Sequence, residues 1–141
     1  MPAAPGAGRI QARLKEKALP LPHNFTITPL TMDLYDEVMA LWRQCEGIGL
    51  SDADSRENIA RYLERNVGMS FVAHAGEQLA GAVLCGHDGR RGYLHHLAVD
   101  ARFRRQGLGG QLVERCLGAL RAAGIQKCHL FVLAGNRNGR T

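Results

Sequence analysis

A glycine-bearing turn with two arginines separates a strand-like segment from a helix-like segment in the second half of the chain. The turn reads Arg104-Arg105-Gln106-Gly107-Leu108-Gly109-Gly110, and the mostly apolar run Tyr93–Val99 lies before it. From Leu108 onward every fourth position is apolar, which is the spacing of one face of an α-helix. These positions are Leu108, Leu112, Cys116 and Leu120. The sequence therefore predicts a strand, a tight turn and a helix in direct succession.

The composition of this turn favours the binding of an anion. Glycines carry no side chain, so several backbone N–H groups can approach one ligand. The helix that begins here adds its own free N–H groups and the positive end of its dipole. Arg104 and Arg105 can pair with phosphate oxygens in a bidentate manner. The turn is a candidate pyrophosphate site, although two glycines alone are equally compatible with a plain tight turn.

Two other nucleotide motifs do not fit this sequence. A Walker loop needs Gly-Lys-Ser or Gly-Lys-Thr, which the turn lacks. A Rossmann unit needs parallel strands on either side of a helix, whereas the segments before the turn predict hairpins. The hairpin strands are Ser70–His74, Leu79–Cys85 and Tyr93–Val99, joined by turns at Ala75–Glu77 and His87–Gly92.

The remaining segments complete one α+β domain. Phe25–Thr28 alternates like a short strand, and Cys128–Leu133 is the last strand that the pattern indicates. Two helices lie between them, the second over Ser55–Asn66. We expect an open, mainly antiparallel sheet in a domain that covers residues 23–141. The nearly continuous apolar strand Leu79–Cys85 should be covered on both faces.

Composition and charge narrow the classes of protein to which the chain can belong. Residues 1–22 are rich in Pro and Gly and then basic, without the pattern of a secretory signal, so they predict a flexible leader, with a transit peptide as the alternative. No run approaches the roughly 18 apolar residues that span a bilayer, so no membrane partner is predicted. The formal charge of +5 comes without an RNA-binding or zinc-finger signature, which argues against nucleic acid as a partner.

The four cysteines show no CxxC spacing. Cys85, Cys116 and Cys128 lie within apolar runs, and the fourth is Cys45. Small buried thiols in a reducing compartment account for them better than a disulfide framework or a zinc site. The sequence therefore predicts a cytoplasmic location and no metal.

The segment around the turn resembles the central motif of the GNAT family of N-acetyltransferases. That motif reads Arg/Gln-x-x-Gly-x-Gly/Ala, where x is any residue, and it follows a strand that ends in Val. The matching residues are Arg104, Gly107 and Gly109, after Val99. The order of predicted segments (strand, two helices, three strands, motif helix, strand) also matches the family from about Phe25 to Asn136. The stretch Leu41–Leu97 is similar to small bacterial acetyltransferases of the YpeA-like group.

This resemblance implies both the fold and the cofactor. The implied fold has a mixed, mostly antiparallel central sheet with helices on both faces, and a cleft between two splayed strands that holds acetyl-CoA as the acyl donor. The pyrophosphate would lie on the turn, and the pantetheine arm would pair with the backbone of the preceding strand. An unpaired N–H near a bulge in that strand would polarise the thioester carbonyl. The residues implied to hold the cofactor are Leu97, Ala98, Val99, Arg104, Arg105, Gln106, Gly107, Leu108, Gly109, Gly110 and Asn136.

The reaction that the resemblance implies is direct attack of an amine on the thioester. It needs a base, because only the unprotonated amine attacks. His95 matches the position of a glutamate base in some relatives and titrates near neutral pH, so it is the leading candidate, with Tyr93 and Glu77 as lesser ones. Regular alternation along a strand would point His95 and His96 to opposite faces. The alternative is that both histidines are structural.

Three acidic residues lie in or near the linker between the first two helices: Glu46, Asp52 and Asp54. The resemblance places the acceptor-side loop in this linker. The acids could then attract the cationic amine of a small molecule or a protein. Solvated loop positions and helix caps are the alternative interpretation.

The resemblance also implies a further helix and two strands after Asn136, whereas the sequence ends at Thr141. The domain would then be C-terminally incomplete, and the strand Cys128–Leu133 would present an apolar edge that favours a homodimer. Three functions are compared on this basis: an acetyl-CoA-dependent N-acetyltransferase, a non-catalytic acyl-CoA-binding or regulatory module, and a basic domain associated with nucleic acid. The first agrees best with the motif and the segment order.

Overall fold

The computed structural model describes residues 24–130, which form a five-stranded sheet with helices on both faces. The strands are β1 (Thr26–Pro29), β2 (Phe71–Ala75), β3 (Gln78–His87), β4 (Arg91–Val99) and β5 (Lys127–Leu130). The helices are α1 (Tyr35–Gln44), α2 (Arg56–Arg65) and α3 (Leu108–Ala122). Each helix follows a short 3₁₀ turn that the sequence analysis did not predict, at Met32–Leu34, Asp52–Asp54 and Ala101–Phe103.

The strands lie across the sheet in chain order, from β1 to β5. The first four pair antiparallel, and β5 pairs parallel to β4. Antiparallel neighbours can be joined by tight turns, whereas a parallel neighbour needs a crossover, which α3 supplies. The predicted α+β class and the mixed, mostly antiparallel sheet are confirmed.

Burial on both faces explains why β3 is apolar almost throughout. Ala82 and Leu84 pack on the side of α1 and α2, whereas Val83 and Cys85 pack on the side of α3. The predicted apolar face of α3 is buried against the sheet at Leu108, Leu112, Cys116 and Leu120. The periodicities of the strand and the helix therefore predicted correctly which residues form the core.

The four cysteines differ in how deeply they are buried. Cys85 on β3 and Cys116 on α3 are fully buried, as predicted, and Cys45 and Cys128 are half-buried. Burial raises the pKa of the Cys128 thiol, which keeps it protonated near neutral pH. Within residues 24–130, no three His, Cys, Asp or Glu side chains converge in a way that would hold a metal ion.

Polar side chains fix the connection between α1 and α2. Ser55 Oγ accepts a hydrogen bond from the N–H of Asn58 at 3.2 Å, which caps α2 at the residue that the sequence predicted. One turn earlier, Ser51 and Asp54 form a capping box. Ser51 Oγ accepts from the N–H of Ala53 at 3.2 Å, and Asp54 Oδ2 accepts from the N–H of Ser51 at 3.0 Å. The connection is therefore an ordered element of the fold.

Strand β4 contains a bulge. Ala82 and Leu84 on β3 lie opposite Ala98 and His95, so two steps along β3 correspond to three along β4. The extra residue is accommodated at His96, whose φ of 54° lies in the left-handed region. A bulge in this strand agrees with the fold that the resemblance implied.

Several predictions concern parts of the chain outside residues 24–130. The leader, Asn136 and the continuation of the last predicted strand past Leu130 all lie there. The leader, the role of Asn136 and the homodimer therefore stay predictions. Among the helices of residues 24–130, none has both the length and the apolar character needed to cross a bilayer.

Gly81 sets how closely α3 can approach β3. A Cβ at this position would lie 2.9 Å from Leu112 Cδ1 and 3.1 Å from the carbonyl oxygen of Ala98. Because one of these neighbours is sheet backbone, Gly81→Ala should lower the free energy of unfolding by about 2 kcal/mol. Gly118→Ala is the control, because Gly118 lies in α3 with open space around it and should gain about 0.5–1 kcal/mol. Equal midpoints for both variants in urea denaturation would contradict this close packing.

Candidate active site

The turn between β4 and α3 has the backbone geometry of an anion site. Arg105 and Gly107 adopt left-handed conformations, with φ of 65° and 79°. Helix α3 is 15 residues long, and Gly107 at its N-cap makes no side-chain capping bond, so the first N–H groups of the helix are not satisfied by a cap. A Cβ at Gly107 or Gly110 would meet no other group within 4 Å, so the space over the turn is open.

The two arginines of the turn behave differently. Arg105 is exposed. Arg104 is half-buried, and its Nε donates a hydrogen bond to the carbonyl oxygen of Val99 at 2.9 Å. Its Nη2 also lies 3.8 Å from Cys45 Sγ. Arg104 therefore ties the turn to the end of β4 and the end of α1, and its contribution to phosphate binding stays a prediction.

Within residues 24–130, β5 covers only the first part of the edge of β4 that faces it. β5 pairs with β4 from Arg91 to Leu94. From Leu97 to Val99, no described strand pairs with this edge, while Ala98 and Val99 stay paired with β3 on the other side. Leu97, Ala98 and Val99 are buried in this segment, and their backbone leads from the bulge to the turn.

A cavity of about 260 Å³ lies beside the bulge, between the α1–α2 connection, α2 and the sheet. Its wall combines apolar, hydroxyl, amide, imidazole and carboxylate groups. The lining residues are Gly49, Ser51, Ala53, Asp54, Asn58, Ile59, Tyr62, Leu84, His95 and His96. Three of these residues, Asp54, His95 and His96, were already candidates from the sequence.

The prediction that His95 and His96 point to opposite faces is wrong, because both line this cavity. The bulge is the physical reason, since the left-handed residue at His96 interrupts the alternation of side chains along β4. The ring centroids of the two histidines lie 6.4 Å apart. His96 also packs edge-on against Trp42, with centroids 4.9 Å apart.

His96 is held by Asp54. His96 Nε2 lies 2.8 Å from Asp54 Oδ1, and because a carboxylate can only accept, the ring donates from Nε2. Asp54 is 5% exposed, and its backbone carbonyl oxygen accepts a hydrogen bond from the Tyr35 hydroxyl at 2.6 Å. The pair therefore joins the α1–α2 connection to β4 beneath the cavity.

The surroundings of His95 lower its pKa and so favour the neutral ring. Burial lowers its pKa below the usual value of 6.5, and the neighbouring His96 lowers it further, while Asp54 acts in the opposite direction. The ring is therefore predominantly neutral near neutral pH, and a neutral ring can accept a proton.

The other residues predicted for this site are more dispersed. Glu46 and Asp52 are exposed and do not line the cavity, so of the three linker acids only Asp54 reaches it. The Tyr93 hydroxyl donates to Asp88 Oδ2 at 3.2 Å, at the turn between β3 and β4. Glu77 lines a separate groove, together with residues of α1 and the start of β3. Neither Tyr93 nor Glu77 lines the cavity that contains the two histidines.

Three polar residues of the cavity were not predicted as site residues: Ser51 in the α1–α2 connection and Asn58 and Tyr62 on α2. Burial raises the pKa of the Tyr62 hydroxyl, so it stays protonated. Asn58 and Tyr62 are four residues apart and therefore share one face of α2. That spacing was the available signal, but the position of α2 over the bulge could not be read from the sequence.

Comparison with known proteins agrees with this arrangement. Residues 34–140 match the Acetyltransferase (GNAT) family. An acetyltransferase of Pectobacterium atrosepticum is 32% identical over 104 residues, which cover 74% of this chain and 73% of the relative. An acetyltransferase of Sodalis glossinidius is 30% identical, with 74% and 72% covered.

Solved structures show the same fold at lower identity. Ard1 of Thermoplasma volcanium has a TM-score of 0.70 and 18% identity, over 82% of this chain and 76% of that chain. The PaiA N-acetyltransferase of Thermoplasma acidophilum has a TM-score of 0.69 and 17% identity, over 83% and 84%. With the motif turn, the bulged strand and the match over residues 34–140, the chain belongs to the GNAT family of acetyltransferases, and its acetyl donor is acetyl-CoA.

Proposed function

We propose that this chain transfers the acetyl group of acetyl-CoA to a primary amine of a small molecule or a protein, by direct attack of the amine on the thioester. The observation that carries the proposal is the position of the cavity along β4. His95 and His96 line the cavity at the bulge, and the same strand runs on to the turn at the start of α3. Acetyl-CoA bound at the turn and an amine bound in the cavity would meet along this strand.

The donor site is supported by the backbone. The left-handed residues Arg105 and Gly107 and the uncapped start of α3 suit the pyrophosphate, and no Cβ fills the space over the turn. We assign the pantetheine arm to the β5-side edge of β4 at Leu97 and Val99. The PaiA N-acetyltransferase that shares the fold was solved in complex with coenzyme A.

The proposed chemistry uses His95 as the general base. The amine nitrogen forms a bond to the acetyl carbon, the carbon–sulfur bond breaks, and the sulfur leaves as the thiolate of CoA. The proton lost by the amine goes to His95, whose lowered pKa keeps it able to accept one near neutral pH. A backbone N–H at the bulge would stabilise the charge that develops on the thioester oxygen.

Two measurements test this function. Titration calorimetry should show acetyl-CoA binding in the micromolar range, about −8 kcal/mol, and release of CoA thiol should exceed background hydrolysis for at least one amine in a panel. Binding without turnover of any small amine or lysine peptide would instead favour a non-catalytic acyl-CoA-binding module. Absence of both binding and turnover would contradict the donor site as well.

Gly107 provides a direct test of the donor site. With φ of 79°, it occupies a conformation in which an alanine costs about 1–2 kcal/mol, so Gly107→Ala should relax the turn and misdirect its N–H groups. We expect the Kd for acetyl-CoA in calorimetry to rise by about tenfold, the equivalent of 1.4 kcal/mol. Gly107→Asn is the matched control and should lose less, since asparagine tolerates the left-handed region. A Gly107→Ala variant with unchanged affinity would place the pyrophosphate elsewhere.

A further inference from the structure

The carboxylate among the lining residues of the cavity already accepts hydrogen bonds from protein groups. Asp54 is its only carboxylate among the lining residues, and both of its oxygens are engaged. Oδ1 accepts from His96 Nε2 at 2.8 Å, and Oδ2 accepts from the backbone N–H of Ser51 at 3.0 Å. Each oxygen keeps a further lone pair, so Asp54 can still attract one ammonium group, but the lining residues offer no second carboxylate.

The second polar wall residue, Asn58, is engaged in the same way and brings a positive charge to the rim. Its Nδ2 donates to the carbonyl oxygen of Asp52 at 2.8 Å. Its Oδ1 accepts from Arg61 Nη1 at 2.7 Å, so the exposed guanidinium of Arg61 stands beside the cavity wall. The positive charge of Arg61 opposes the approach of a second ammonium group on the acceptor.

Size and apolar surface limit the acceptor further. The cavity volume of about 260 Å³ is smaller than the ~300–1,000 Å³ that hold drug-sized ligands. Ile59, Leu84 and Ala53 supply apolar surface, which matches the carbon body of a small amine.

We infer that the acceptor is a small primary monoamine, with an apolar body and no second positive charge. This inference rests on the proposed function and specifies its substrate class. Burying an additional ammonium would need a partner carboxylate that the wall does not offer. The exposed acids of the linker, Glu46 and Asp52, do not line the cavity and so do not supply one.

The inference is tested with two amines of equal size. n-Pentylamine and 1,4-diaminobutane have the same number of non-hydrogen atoms and differ in whether the far end is a methyl or an ammonium group. We expect kcat/KM for acetyl transfer to be at least about tenfold higher for the monoamine, because an unpaired charge must otherwise be desolvated. Equal values, a preference for the diamine, or a lysine peptide that reacts faster than either amine would overturn the inference while leaving acetyl transfer itself established.

A pair of variants at the cavity wall provides a matched control. Ala53 lines the cavity, and its contribution to the capping box is its backbone N–H, which a substitution retains. Ala53→Glu adds an unpaired carboxylate and should reduce the preference for the monoamine by about tenfold, whereas the isosteric Ala53→Gln should leave it near the wild-type ratio. The same ratio in both variants would show that charge in the wall does not select the acceptor.

A binding readout keeps the inference testable if neither amine is acetylated. Trp42 is the only tryptophan of the chain, and its ring lies 4.9 Å from the His96 ring that lines the cavity. Tryptophan emission should therefore respond to n-pentylamine at a lower concentration than to 1,4-diaminobutane. A response to the diamine at equal or lower concentration, or none to either amine, would overturn the inference, whereas absent turnover alone would count against the proposed function.

Discussion

Asp54→Ala should lower the free energy of unfolding by about 3 kcal/mol, because it removes a buried acceptor that two donors share. The carboxylate is 5% exposed and receives hydrogen bonds from His96 Nε2 and from the N–H of Ser51. Without it, the imidazole loses its partner and the capping box that orders the α1–α2 connection is broken. Denaturation in urea, monitored by circular dichroism, gives the change directly.

Asp52 supplies the control for this substitution. It belongs to the same 3₁₀ turn, but its side chain is exposed, and Asn58 contacts its backbone carbonyl. Asp52→Ala should therefore change stability by less than about 0.5 kcal/mol. A double-mutant cycle with His96→Ala should assign a coupling of roughly 1–3 kcal/mol to the Asp54–His96 pair. Additive losses would show that the two side chains stabilise the fold independently.

His95→Gln should lower kcat for acetyl transfer by at least about 100-fold, because it removes the group proposed to accept the amine proton. The Kd for acetyl-CoA should not change, since His95 lies at the cavity and not at the turn. His74→Gln is the matched control: His74 is half-buried on β2, and it is not among the residues that line the cavity. A His95→Gln variant with wild-type kcat would transfer the role of base to another group or to water.

The pH dependence of the wild type should carry the signature of His95. Protonation of the amine alone gives log kcat/KM a slope of about one against pH. Burial places the pKa of His95 under 6.5. Below that pKa the ring is itself protonated and cannot accept the amine proton, so the slope should increase by about one. This extra slope should be absent in His95→Gln. Because the unfolded chain binds this proton more readily than the folded one, stability should also fall as the pH drops through the window below 6.5.

The sequence predicted the fold well where one physical rule dominated. The four-residue spacing of α3 predicted its buried face, and Ser55 marked the start of α2. The glycines of the turn predicted a helix that begins without a side-chain cap. Gly107 adopts a left-handed conformation there, which glycine tolerates better than other residues. Each of these is a local property, so the residues that determine it are close together in the sequence.

The site was predicted less completely, because its geometry depends on contacts between distant segments. The bulge at His96 has no marker in the sequence: a left-handed histidine is uncommon, and the surrounding strand looks regular. Of the three linker acids, only Asp54 reaches the cavity. A Ser-x-x-Asp spacing from Ser51 would have identified Asp54 as a cap, but its contact with His96 joins residues 42 positions apart.

The cavity and the turn are built from different elements, which has a consequence for how acceptor specificity can change. The α1–α2 connection and α2 supply most of the lining of the cavity proposed to hold the amine, whereas the turn proposed to hold the cofactor belongs to β4 and α3. The α1–α2 connection and α2 pack on one face of the sheet, and α3 packs on the other. The two groups of elements also occupy separate stretches of the sequence. Under the proposed function, we expect substitutions between residues 49 and 62 to change the preferred amine more than the affinity for acetyl-CoA. New acceptor preferences would then arise within this short interval while the turn stays the same.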